Sequence, residues 1–243
     1  AAFEKGLAAV KSQGGGILYV PAGRYLINGT LTVPSGVELR GCFESGHHSN
    51  AGGTVLVTTQ GKGSENGTPF ITLQANAGLT GVTIWYAEQN AMSPIKYPPA
   101  VYSSERGVWV VNTCIGNAWQ GLKLQGDTGG HYISNLTGFS FYRDIHIDGA
   151  KSKGYVINCH FNPHFYARTL SSRLPGGDPT PGDKFGQFLG RCDSTVDGAV
   201  AFGKTTDEQV FQVFNYRGGV GLRLLKTSSG AFSGKLLGIG FDG

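Results

Sequence analysis

Charge is scarce in this chain: only 15% of its residues are Asp, Glu, Lys or Arg. Long apolar runs are missing too. No stretch of about 18 hydrophobic residues occurs, so the sequence offers no membrane span. The four cysteines, Cys42, Cys114, Cys159 and Cys192, lack any C-x-x-C spacing, which argues against zinc and for buried thiols. Closely spaced acidic clusters are absent, so no Ca²⁺ cage can be read. Basic runs and nucleic-acid motifs are absent as well, and the formal charge of +4 is mild. Helix-favouring runs are rare. What is abundant is glycine, 40 of 243 residues, beside 40% hydrophobic and 11% aromatic content. That is an all-β composition with many tight turns and ample material for a core.

A period organises it. Asn112, Asn135 and Asn158 follow one another at intervals of 23 residues. "GLKLQG" (121–126) precedes "DIHIDG" (144–149) by the same 23, setting Leu122 over Ile145 and Leu124 over Ile147. "AVAFG" (199–203) leads "LRLLK" (222–226), and Val213 leads Leu236, again by 23. Each period holds short strand patterns parted by Gly, Asn or Ser, without the helical segment of a leucine-rich repeat. The expected architecture is a single-stranded parallel β-helix of about 23-residue coils, each stacked about 4.8 Å from the last, and right-handed by the resemblance given below. An Asn column would hydrogen-bond its amides along the stack.

The first segment, 1–13, reads as an amphipathic cap helix with Phe3, Leu7 and Val10 on one face, ended by Gly14 to Gly16. It covers strand edges that an open solenoid would expose. The far end, "LLGIGFDG", stops in mid-pattern. One β-helix domain over 1–243 is expected, as a fragment of a longer protein.

"GGGILYVPAGRYLINGTLTVPSGVELRG" (14–41) resembles the opening coil of the pectate-lyase-like superfamily of parallel β-helices, in the branch related to polygalacturonase-type glycoside hydrolases. The resemblance implies a secreted, periplasmic or cell-surface protein that acts on polysaccharide. It transfers no catalytic residue. Asn-Thr-Asp, Asp-Asp, Gly-His-Gly and Arg-Ile-Lys motifs are missing, and Asn112-Thr113-Cys114 puts a thiol where the carboxylate belongs. Trp-x-Asp-His is missing too.

The site must therefore be read from the residues. In "FYRDIHIDG" (141–149), strand alternation turns Tyr142, Asp144, His146 and Asp148 to one side of Ile145 and Ile147. The period sets Lys123 beside His146 and Gln125 beside Asp148, with Arg223 further along and Val200 and Phe202 offered between. Glycoside hydrolysis needs two carboxyls about 5–5.5 Å apart for retention or about 6.5–9.5 Å for inversion. Asp144 and Asp148 are roughly 13 Å apart on an extended strand, so they are not that pair. Asp193, Asp197, Asp207 and Glu208 are candidate partners. The preferred pair is Asp148 with Asp207 or Glu208, and His146 or His160 tunes protonation.

The longest interruption of the period, 162–192, carries His164, Tyr166, Arg168, Arg173 and Asp178 and reads as a substrate-binding loop. A second, 86–107, adds Tyr86, Glu88, Tyr97, Tyr102 and Glu105, and together the two are expected to wall a groove. His160 and His164 would make a metal pair only on a helix, which Pro163 opposes. Hydrolysis of a polysaccharide bound lengthwise is the leading expectation, with no cofactor. The alternatives are β-elimination on a uronate, served by Lys123, His146, Arg168 or Arg223 and compatible with Ca²⁺, and a non-catalytic glycan-binding or tailspike-like shaft, which would form trimers or a long fibre.

Overall fold

Strands mostly of three to nine residues, broken by glycine and asparagine, are too short to form a broad flat sheet. They can instead be used once per turn of the chain, each pairing with its counterpart in the next turn. The computed structural model, which describes residues 2–42, 53–166, 174 and 184–243, has this form. Helix α1 (Ala2–Ser12) leads into a first pass made of β1 (Gly16–Tyr19), β2 (Gly23–Leu26) and β3 (Leu31–Val33). The second pass is β4 (Val37–Arg40), β5 (Thr54–Thr58) and β6 (Ile71–Leu73). The third is β7 (Gly78–Thr80), β8 (Val82–Tyr86) and β9 (Pro99–Ser103).

Two long bent strands, β10 (Trp109–Gln125) and β11 (Tyr132–Asp148), each make a whole pass. The sixth pass runs through β12 (Tyr155–Phe161), helix α2 (Phe185–Thr195) and β13 (Asp197–Phe202). Then come β14 (Glu208–Tyr216), β15 (Val220–Leu224) and β16 (Gly234–Asp242). All pairing between these strands is parallel, in three ladders. Ladder 1 is β1-β4-β7-β10-β11-β12-β14-β16. Ladder 2 begins β2-β5-β8 and ladder 3 begins β3-β6-β9, and both continue through β10 and β11.

The core lies between the ladders. Leu39, Leu79, Val110, Ile133 and Val156 form an inward column in ladder 1, and Val101, Leu122, Ile145 and Val200 form one in ladder 3, all buried. Parallel stacking demands that each apolar side chain fall on another, which is why Leu122 pairs with Ile145 and Leu124 with Ile147, as the period requires. Later passes depart from 23. Val200 pairs with Leu222 and Val210 with Leu236, while Val213 meets Ile239 rather than Leu236.

The corner between ladders 1 and 2 is turned by Asn112, Asn135, Asn158 and Gln212, all left-handed at φ 47, 57, 53 and 53°. Such a backbone costs a non-glycine residue about 1–2 kcal/mol, least for Asn. The amides offset the cost: Asn135 Nδ2 donates to Asn112 Oδ1 at 2.6 Å, and Asn158 Nδ2 to Asn135 Oδ1 at 3.4 Å. Helix α1 seals the first pass with Leu7, which is buried.

The long interruption in the sixth pass has a different role from the groove wall expected of it. Tyr166 is fully buried, packed on Trp85, Phe141 and Phe188, so its described part covers the outer face of ladder 2. That cover explains why every residue of β8 is buried.

Replacing Asn135 separates the two effects at the corner. Asn135→Ala is expected to lose about 2 kcal/mol in urea unfolding, from the left-handed backbone and the amide bonds together. Asn135→Gly, which relieves only the backbone, should lose less. Equal losses would contradict this account.

Candidate functional site

Beyond the ladder-2 cover, ladder 3 presents an outer face. Register places Tyr102, Lys123, His146, Ala201 and Arg223 in one column across successive passes. The expected neighbours Lys123 with His146 and Gln125 with Asp148 are register partners. Between His146 and Arg223 the outward residue is Ala201; Val200 and Phe202, expected there, point into the core and are buried.

Two cations and an imidazole crowd this face. Burial, then the neighbouring Arg143, pushes the Lys123 amine below its ordinary range, while Asp148 and Glu65 pull it back. Burial, Arg143 and Lys123 push the His146 imidazole down to about 4, against the pull of Asp148. His146 is therefore neutral near pH 7, and its Nε2 is buried with no hydrogen-bond partner among the described residues.

An aromatic wall stands beside them. Trp119 and Tyr142 stack with centroids 5.6 Å apart and planes 9° from parallel. Lys96 lies over Trp119 at 5.5 Å, and Arg143 over Tyr142 at 4.7 Å, so two rings are held between two cations. Arg143 is fixed by donating to Asp197 through Nε, to the carbonyl at 2.9 Å, and through Nη2, to Oδ2 at 3.0 Å. Arg223 Nε donates to Oδ1 of the same carboxylate.

The carboxylate nearest this wall is Glu65. Trp119 Nε1 donates to its Oε1 at 2.8 Å, and Lys96 Nζ to its Oε2 at 2.7 Å. Burial alone would raise Glu65, but those two bonds and the charges of Lys96 and Lys123 hold its carboxyl below the usual range. It is an ionised, oriented carboxylate. Among the described residues no group of three or more His, Cys, Asp or Glu comes together to hold a metal.

Most of the expected carboxylates are placed elsewhere. Asp144 does not share the outer row: it is buried, and burial drives its carboxyl well above the ordinary value, with the backbone and hydroxyl of Ser140 offsetting part of the rise. Glu208 cannot pair with Asp148. It is fully buried against His131, whose Nε2 lies 2.8 Å from its Oε1 while Nδ1 faces the Thr128 carbonyl. Asp207 sits on an exposed turn, bonded to Gln209 and paired with Lys153. Asp193 pairs with Arg217. Asp148 stays on ladder 3, only 8% exposed, with Oδ1 accepting from the Lys204 N–H at 2.8 Å and the Thr227 hydroxyl at 2.9 Å.

The expected binding residues divide similarly. Lys123, Gln125 and Arg223 belong to ladder 3. His160 lies in ladder 2 between Phe165 and Phe214, and His164 packs on Phe185 and Tyr216. Tyr86 and Tyr97 are buried against each other rather than lining a groove. Arg168, Arg173 and Asp178 lie outside the described residues.

Sequence reasoning missed Glu65, Lys96, Trp119 and Arg143. Trp119 precedes Tyr142 by 23 residues, so the period contained that stacked pair. Glu65 and Lys96 come from connections outside any period and left no signal.

No protein-family model matches the chain, and no curated protein sequence matches it. Among solved structures, a candidate glycosyl hydrolase from Parabacteroides merdae ATCC 43184 is similar at 15% identity, over 87% of this chain and 86% of that one, with a TM-score of 0.43. That likeness is too distant to bear on activity.

Asp144 supplies a pH test. Its folded value is raised, so its carboxyl costs nothing below the unfolded value of 3.8 and increasingly destabilises the fold as pH rises. Asp144→Asn should therefore raise the thermal midpoint at pH 7 and lose that gain as the pH falls toward 3.8. A gain of the same size at both pH values would show that the carboxyl is not titrating in the core.

Proposed function

We propose that the chain is one right-handed parallel β-helix domain of the pectate-lyase-like kind, and that its third ladder binds a polysaccharide lengthwise and cleaves its glycosidic bonds. The observation that carries this reading is the pairing of an ionised, locked Glu65 with a stacked Trp119–Tyr142 wall, four residues before Lys123 and His146 on the same two strands. The two rings cover one another and each is covered by a cation, so they serve as a rigid support, while polar groups at fixed strand spacing suit a polymer laid across successive passes.

Hydrolysis is the first chemistry. Glu65 and Asp148 both act electrostatically on the Lys123 amine. Glu65 serves as the ionised partner, as base, nucleophile or stabiliser of the oxocarbenium-like transition state. Asp148 keeps Oδ1 on its turn and uses Oδ2 toward the leaving oxygen. Lys123 and Arg143 orient acidic or hydroxyl groups of the sugar.

One observation favours a second chemistry, β-elimination on a uronate. An amine pushed down by burial and by a neighbouring guanidinium is a fit base for the proton α to a carboxylate. Arg143, immobilised by Asp197, would neutralise that carboxylate. A polymeric substrate puts either enzyme outside the cytoplasm, secreted, periplasmic or at the cell surface.

Chromatography and mass spectrometry of products from a polysaccharide panel decide between them. Saturated products lost about 100-fold or more in Glu65→Gln are expected for hydrolysis. Products lighter by one water, and lost in Lys123→Ala, would establish elimination instead. If no polymer is cleaved, the enzymatic reading fails and a binding or shaft module remains.

A further inference from the structure

His131 and Glu208 take no part in the cleavage chemistry above, yet both side chains are fully buried. They come from different passes. The His131 carbonyl accepts from the Tyr155 N–H at 3.0 Å, and the Gly154 carbonyl from the Gln209 N–H at 2.9 Å. His131, Gly154 and Glu208 therefore share one position at the entry to ladder 1, in the fifth, sixth and seventh passes. The imidazole and the carboxyl meet across the middle one.

Gly154 makes that meeting possible. Its backbone is not left-handed, so conformational freedom is not what it supplies. A Cβ there would overlap the His131 ring and come within 2.8 Å of Glu208 Oε2. The bare glycine leaves room for a bond between passes that are not neighbours.

The contacts fix the proton count. Nδ1 lies 2.8 Å from the Thr128 carbonyl, and a carbonyl only accepts, so Nδ1 carries a proton. Nε2 lies 2.8 Å from Oε1. A bare nitrogen and an ionised carboxylate would both accept there, so a second proton sits between them. Oε2 is buried with no hydrogen-bond partner among the described residues. Burial without a donor is far more costly for a carboxylate than for a neutral carboxyl. The second proton therefore belongs to Glu208, with Oε1 donating to Nε2.

The surroundings bring no further charge into the corner. In the same column Val108 precedes and Gly234 follows, both apolar. Tyr132 and Tyr155 stand one residue further on and turn to the outer face, opposite the buried Ile133 and Val156. Asp127 lies on the turn before Thr128. Lys153 and Asp207, beside Gly154 and Glu208, pair with each other at 3.0 Å on the surface.

We propose that His131 and Glu208 form a proton-holding clasp between the fifth and seventh passes, which grips best in mildly acidic surroundings and loosens in alkali. Beyond Glu208 the chain supplies Arg223 to ladder 3 and the Thr227 hydroxyl to Asp148, so the clasp also steadies the far end of that face. Protons are counted from a neutral imidazole and an ionised carboxylate. Above about pH 6.5 the unfolded chain holds no extra proton and the folded clasp holds one, so its contribution falls as pH rises. Between about 4.3 and 6.5 the unfolded histidine holds one too, and the contribution is level. Below about 4.3 the unfolded chain holds two, and it falls again.

Urea unfolding of the parent and of Glu208→Gln at pH 5.5, 7.5 and 8.5 tests the clasp. The glutamine amide can donate to Nε2 as the carboxyl does, but has no proton to lose. Histidine titration in the unfolded chain is common to both and cancels. Relative to the variant, the unfolding constant of the parent should rise by about tenfold per pH unit between 5.5 and 7.5. A ratio that stays constant over the whole range overturns the proposal. Should Glu208→Gln fail to fold, proton release on unfolding in weakly buffered urea at pH 7.5 gives the answer. It is read in Asp144→Asn, so that the Asp144 proton does not enter the count. Release of about one proton is expected, and release of none overturns the proposal.

Discussion

Parallel register between successive passes is the constraint from which the rest follows. Each strand is too short to be stable alone, so its side chains must land on those of the pass before and the pass after. Inward, that requirement stacks Leu122 on Ile145 and Val110 on Ile133 and makes one continuous core. At the corner of the later passes it is met by left-handed Asn112, Asn135, Asn158 and Gln212, and the Asn amides bond along the stack. Outward, the same register lines up whatever residues are present, so Lys123 and His146 fall side by side without any extra scaffold.

The outer face of ladder 3 shows what such alignment costs. Lys123 and Arg143 repel one another and oppose protonation of His146, and the partial burial that brings them together lowers both the amine and the imidazole. Glu65, Asp148 and Asp197 hold the cluster in place. Core packing has no need of so many partly buried charges, and concentrations of this kind mark working sites. The two rings clamped between Lys96 and Arg143 make the wall stiff, so a bound sugar would meet a surface already in position.

How much of this could be read beforehand depends on where the period holds. The Asn column, the Leu122–Ile145 stack and the Lys123–His146 neighbours were legible because identical spacing implies identical position. Asp144 was misread because the pairing of β10 with β11 shifts register between Ile115, Ala118 and Gln120. Strict alternation fails at that corner, and a carboxyl assigned to solvent is turned into the core. Glu208 was misread for a related reason: it begins β14 and faces His131, a partner 77 residues earlier that no local pattern announces. Glu65 reaches the site from an irregular connection, and only the three-dimensional path brings it to Trp119. The 162–192 segment looked like a groove wall because long insertions are often functional; its described aromatics serve instead to bury ladder 2.

Where a sugar binds is the central claim, and a complex shows it most directly. Crystals of the Glu65→Gln chain soaked in a mixture of neutral and uronate oligosaccharides should show a sugar lying across Lys123 and His146, beside the Trp119–Tyr142 wall. Sugars found only on other faces, or none at all on ladder 3 at saturating concentration, would contradict the account.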